Sequence, residues 1–215
     1  MTTTITGSMA IYQKNLALFK DLIDRYTIAD LKSMIYDVKV SDSGACCYPT
    51  VQTLFSLMEF LGGLLRHGVI NEAAFLIVFT ELGPKYTESI GSKLYKYFRN
   101  GIAHTSLAKY GVAVKKTGDT TFHLADEGNN IDIRIMFEDF LKIFNNIFDV
   151  KLKNPKMEIY YEKNLKDLFE SLHLPWQPVA SGGLEVSADY TRTYTTHTSN
   201  ASTTALNGKL TKILE

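Results

Sequence analysis

Apolar residues recur at spacings of three and four through most of the first 175 positions, and that period commits the chain to helices. From Met9 to about Val38 the repeat runs through Ile11, Leu16, Phe19, Leu22, Ile23 and Tyr26. Thr27 is placed to cap a continuation carrying Leu31, Met34 and Ile35. Ser41 to Ala45 reads as a loop, and Pro49 suits the first turn of the next helix. Val51, Leu54, Phe55, Leu57, Met58, Leu61, Leu64 and Leu65 cover most of that helix's circumference, so it belongs at the centre. Gly62 and Gly63 weaken its end or permit a close crossing.

Asn71 can cap a helix containing Ala74, Phe75, Ile77, Val78, Phe79 and Leu82, which Gly83-Pro84 ends. Tyr86 to about Lys109 is again helical. Between Gly111 and Ala125 the period becomes two. Val112 and Val114 alternate, Gly118-Asp119 signals a turn, and Phe122 and Leu124 alternate, which spells a β-hairpin. Ile133, Phe137, Phe140, Leu141, Phe144, Ile147 and Phe148 form the clearest amphipathic stripe. A last helix carries Ile159, Leu165, Leu168, Phe169 and Leu172 between Pro155 and Pro175. The expectation is a mainly α fold: an antiparallel bundle of six or seven helices with a hairpin insertion near 111–125. The bundle spans 1–175, and a Ser/Thr-rich tail, loosely held on composition, fills 176–215.

Lys+Arg and Asp+Glu are both 23, which argues against a strongly basic, non-specific nucleic-acid binder. No run reaches the length of a membrane span, and the start has no basic and apolar leader. Cys46 and Cys47 are adjacent, with no other cysteine to bridge, and read as ordinary thiols of a reducing, cytoplasmic protein. Asp119, Asp126, Glu127 and Asp132 lack metal-loop spacing, and no phosphate-binding glycine loop, nucleophile elbow or zinc signature is present. No metal or cofactor is expected.

The segment with chemical content is Tyr95-Lys96-Tyr97-Phe98-Arg99-Asn100-Gly101-Ile102-Ala103-His104. On a helix, Asn100 and His104 share a face, and the long Arg99 side chain can bend toward them. Ile90, Leu94, Phe98 and Ile102 would hold the opposite face in the core. Charge is also uneven. Residues 85–116 carry seven Lys and Arg against Glu88 alone, a net +6 hidden inside the neutral total. That suits a phosphate-bearing partner, with Lys96, Lys109, Lys115 and Lys116 as substrate-binding candidates; the plain alternative is a solvated basic face.

Arg99-Asn100-Gly101-Ile102-Ala103-His104 resembles the R-x4-6-H motif of the HEPN superfamily, where the residue after the arginine is commonly Asn, Asp or His. The resemblance covers the motif and the bundle from about Met9 to Leu172. It implies an α-helical bundle and a metal-independent endoribonuclease in a toxin or phage-defence setting. Arg99, Asn100 and His104 would be its catalytic residues. Other members of the superfamily are catalytically silent and bind a protein partner or nucleotide. The chemistry fits independently. A 2′-hydroxyl can attack its own phosphorus if a base, an acid and a cation are supplied. His104 titrates near neutrality, and Arg99 offers a permanently charged fork. One motif holds one titrating group, so a homodimer with two facing motifs is expected, with RNA as substrate and an antitoxin as a candidate partner.

Among the other residues, His67 reads as a helix C-terminal charge and His123 as a surface residue of the hairpin. His173 and His197 have no partner pattern. Tyr95, Tyr97 and Tyr110 favour packing over base stacking.

Overall fold

A computed structural model describes residues 3–39, 45–66, 68–100, 112–154, 158–174 and 176. The chain divides into two units, Met1–Val179 and Ala180–Glu215, and every described residue belongs to the first. That unit is mainly helical with one small sheet.

The first rod is α1 (Thr3–Leu22), then a π-helical turn (Ile23–Ile28), α2 (Ala29–Lys32) and a second π-helical turn (Ser33–Asp37). It does not restart at Thr27: Ile28 keeps right-handed helical angles, and the chain first leaves them at Val38. The wide turn alters the phase of the apolar stripe. Leu16, Phe19 and Ile23 are buried, Tyr26 is rotated outward, and Ile28 and Leu31 take over the core face.

Helix α3 (Cys47–Leu65) is the central element, with Val51, Leu54, Phe55, Met58 and Leu61 wholly buried. Each such side chain contributes on the order of 1.5–3 kcal/mol by leaving water. Helix α4 (Glu72–Phe79) starts at Asn71, whose Oδ1 accepts the Ala74 N–H at 3.1 Å, and ends in a 3-10 turn (Thr80–Leu82) before Gly83. Helix α5 (Glu88–Leu94) is capped by Thr87 and runs on as a π-helical segment, Tyr95–Asn100. Helix α6 (Ile133–Asn146) buries Ile133, Met136, Phe137, Phe140 and Phe144, and its π-helical extension (Ile147–Lys151) buries Ile147 and Phe148. Helix α7 (Glu158–Ser171) buries Leu165 and Phe169, while Leu172 lies past its end and is exposed.

The insertion is not the expected hairpin. Strand β1 (Ala113–Lys115) pairs in parallel with β2 (Asn130–Asp132), in the register Ala113↔Asn130, Val114↔Ile131, Lys115↔Asp132. Phe122 and Leu124 lie in a turn instead of a strand. Gly118 is a turn glycine as its sequence context suggests (φ +77), but the Asp132 carboxylate takes the amides of Thr117, Gly118 and Asp119 immediately after β1. The chain is folded back there before a return strand can form. The 14 residues between β1 and β2 suffice for the crossover that a parallel pair requires.

Aromatic rings join these elements. Phe19 meets Phe60, Phe148 and Phe169 at centroid distances of 5.6–6.3 Å, and Phe75 meets Phe55, Phe79 and Tyr95 at 4.8–5.3 Å. The α3–α4 contact is the tightest. A Cβ on Gly62 would sit 1.8 Å from the Ala74 carbonyl oxygen, so only glycine allows the two backbones to touch. Gly62→Ala must force these helices apart, and we expect a loss of roughly 2 kcal/mol or more in urea unfolding. An alanine variant as stable as the wild type would rule out this crossing.

Candidate functional site

Helix α3 is so thoroughly surrounded that its one acidic residue, Glu59, is buried, with only 4% of its surface exposed. A carboxylate there costs several kcal/mol unless both oxygens are partnered. Both are. The Tyr95 hydroxyl donates to Oε1 at 2.8 Å, and Arg99 Nε donates to Oε2 at 2.9 Å. Tyr95 and Arg99 are four apart on the π-helical segment and present one face to α3. Leu94 and Phe98 are buried beside them, and Ile90 is half-buried. Burial first, and the bond to Glu59 second, push the Tyr95 phenol up to about 12.

The pair straddles the surface. The Arg99 side chain keeps 29% of its exposure against 5% for Glu59. Among the described residues Glu59 is the acceptor for Arg99, engaged through Nε alone. A guanidinium has five N–H donors, and Nε supplies one of them to Glu59. Arg99 is therefore a partly exposed guanidinium held at Nε by a buried carboxylate.

His104, Lys109 and the side chain of Asn100 lie outside the described residues, as do His67, Tyr110, His197 and the tail beyond Trp176. The other candidates fare differently. Lys96 is exposed. Lys115 is exposed, with its ammonium 4.1 Å from the Phe122 ring centroid. Lys116 does not belong to the exposed basic face. It is buried and donates to the Met34 carbonyl at 2.8 Å and to the Val38 carbonyl. Its alternation with exposed Lys115 is the period of strand β1.

A second polar cluster was not legible as such. Asp132 is fully buried. Its Oδ2 accepts from the backbone of Thr117, Gly118 and Asp119 and from the Thr117 hydroxyl, and its Oδ1 caps α6 through the N–H groups of Arg134 and Ile135. His123, read from sequence as a surface residue, is buried. The Asp132 N–H donates to its Nδ1 at 3.2 Å, and Nε2 lies 2.9 Å from the Tyr86 hydroxyl, which donates to Asp139 Oδ2 at 2.7 Å. The cluster's buried members, Asp132, His123 and Tyr86, tie the segment after β1 to α6. Among the described residues no His, Cys, Asp and Glu group could hold a metal ion, and no helix is long and apolar enough to cross a membrane.

No family model, curated protein or solved structure matches the chain.

Glu59 is the residue that motif reading overlooked. Its signal was a single charge inside a helix apolar over most of its circumference, which must meet a counter-charge or leave the core. Glu59→Ala strands the Arg99 and Tyr95 donors and should cost roughly 2–4 kcal/mol in denaturant unfolding, reduced from a fully buried pair by the exposure of Arg99. Tyr95→Phe should cost only about 1 kcal/mol. Equal and negligible losses would show that the three side chains do not meet.

Proposed function

We propose that the chain is a HEPN-type, metal-independent endoribonuclease of a toxin or phage-defence system, acting in the cytoplasm. Its helices would be arranged as an antiparallel bundle, and two copies would pair with facing motifs. The observation that carries this reading is the tether at Arg99. A buried carboxylate holds the guanidinium at the rim, at the start of Arg99-Asn100-Gly101-Ile102-Ala103-His104. Pre-organised donors are what charge stabilisation in a phosphoryl transition state requires.

In the reaction, His104 of one copy takes the proton of the RNA 2′-hydroxyl. The O2′ attacks phosphorus, and the P–O5′ bond breaks as His104 of the other copy protonates the leaving oxygen. The products are a 2′,3′-cyclic phosphate and a 5′-hydroxyl. Arg99 takes the charge gathering on the non-bridging oxygens, and Asn100 orients the phosphate or the imidazole. Lys96, Lys109 and Lys115 would guide the strand. An antitoxin protein would bind over the same face.

One observation favours a second reading. The Glu59 carboxylate offsets the Arg99 charge, which suits a structural tie within a non-catalytic module that binds a protein partner or nucleotide.

The test is RNA cleavage in EDTA by the wild type, His104→Ala and Arg99→Ala. We expect wild-type cleavage to leave cyclic phosphate ends. His104→Ala should lose about 100-fold or more, and Arg99→Ala a comparable factor. Cleavage equal in wild type and His104→Ala, or absent from both, removes the enzyme and leaves the binding module.

A further inference from the structure

Between β1 and α6, the segment 117–132 is held by the Asp132 carboxylate, which gathers its amides, and by one imidazole, which takes the Asp132 N–H. His123 sits in a tight turn, with its N–H bonded to the Asp119 carbonyl at 3.1 Å. Its Nδ1 accepts the backbone N–H of Asp132, so the ring proton belongs on Nε2 and is donated to Tyr86 Oη. The Tyr86 hydroxyl proton is already committed to Asp139. The directions of these bonds admit the neutral ring in one tautomer only. A protonated ring would bring an Nδ1–H against the Asp132 N–H, two donors face to face.

The groups facing the ring come from three places. Asp132 stands at the end of β2, Asp139 on α6, and Tyr86 with Lys85 in the loop before α5. The two carboxylates favour a proton on the ring, whereas Lys85 opposes it. Burial opposes it most strongly, so the ring titrates below the ordinary histidine range. The Asp132 carboxylate is taken up by loop amides and is not free to turn toward the ring. The held segment is also under backbone tension. Leu124, Asp126 and Glu127 all have left-handed angles (φ +59, +51 and +51), each costing on the order of 1 kcal/mol or more outside glycine. Such a conformation persists only while its anchors hold.

We propose that His123 is an acid-sensitive latch: the neutral ring locks residues 117–132 against α6, and protonation releases that segment while the helical core stays folded. This inference does not depend on the nuclease reading. The sign follows from proton linkage. The released state binds the proton at the ordinary histidine value, near 6.5, and the latched state only below it. The latch is therefore at full strength above that value and weakens as pH falls through it, by about tenfold per unit until the latched ring itself titrates.

Amide hydrogen exchange on the full chain at about pH 7.5 and about pH 5.5, corrected for intrinsic rates, tests this. We expect the amides of Thr117, Gly118, Asp119 and Asp132 to lose protection by about tenfold at the lower pH, with those of α3 unchanged. His123→Asn keeps an acceptor and cannot titrate, and should abolish that pH dependence. Should this variant fail to fold, ring nitrogen NMR of the wild type decides. The unprotonated nitrogen at about pH 7.5 should be Nδ1, and protection should begin to fall at a pH above that at which the ring itself titrates, and level off once it has. The proposal is overturned if the wild-type protection is indifferent to pH, if His123→Asn behaves like the wild type, or if the ring titrates without loosening the segment.

Discussion

Two backbones in contact at Gly62 set the scale of everything around them. Because α4 reaches α3 without an intervening Cβ, the rings of Phe55, Phe75 and Phe79 close into one layer. Tyr95 joins that layer through Phe75. Leu76 and Phe79 then press against Gly91, which draws in the start of the segment bearing Arg99. Tight packing on these sides of α3 leaves Glu59 no route to water. The carboxylate must be met from within, and the Tyr95–Arg99 face is what meets it.

The same rule governs the other buried polar groups. Lys116 satisfies two carbonyls at the frayed end of the first rod, where the helix leaves the chain's oxygens without amides. Asp132 collects loop and cap amides, and His123 joins β2 to Tyr86. Each of these groups ties together segments distant in sequence. They fix the one region where apolar periodicity is silent, because residues 112–132 bury few large side chains of their own.

That division explains what could be read in advance. The stripe from Ile133 to Phe148, the apolar circumference of α3 and the Asn71 cap are local patterns, and each appears where its residues put it. The strand pairing is not local. Val112–Val114 and Phe122–Leu124 alternate as a hairpin should, yet the partner of β1 is chosen by Asp132, whose carboxylate gathers the amides that a hairpin turn would have used. Tyr26 shows a subtler failure. A fixed period of 3.6 places it inside, and the π-helical turn that turns it outward leaves no mark in composition. Glu59 and His123 were visible as residues, but their importance lies in partners 36 to 40 positions away.

The basic segment shows why a charge count is a poor guide to an anion site. Of its seven cations, Lys116 is spent on carbonyls, Lys93 donates to the Glu127 carbonyl at 3.1 Å, and Lys115 lies over Phe122. Arg99 shares its charge with a carboxylate. A diffuse basic face would attract phosphate at long range with little geometry. A guanidinium pinned by Nε gives up some of that attraction, but it presents its remaining donors in a fixed plane and loses less conformational freedom when an anion arrives. The arrangement around Glu59 therefore fixes one guanidinium in place, where a charge count would see only a broad basic face.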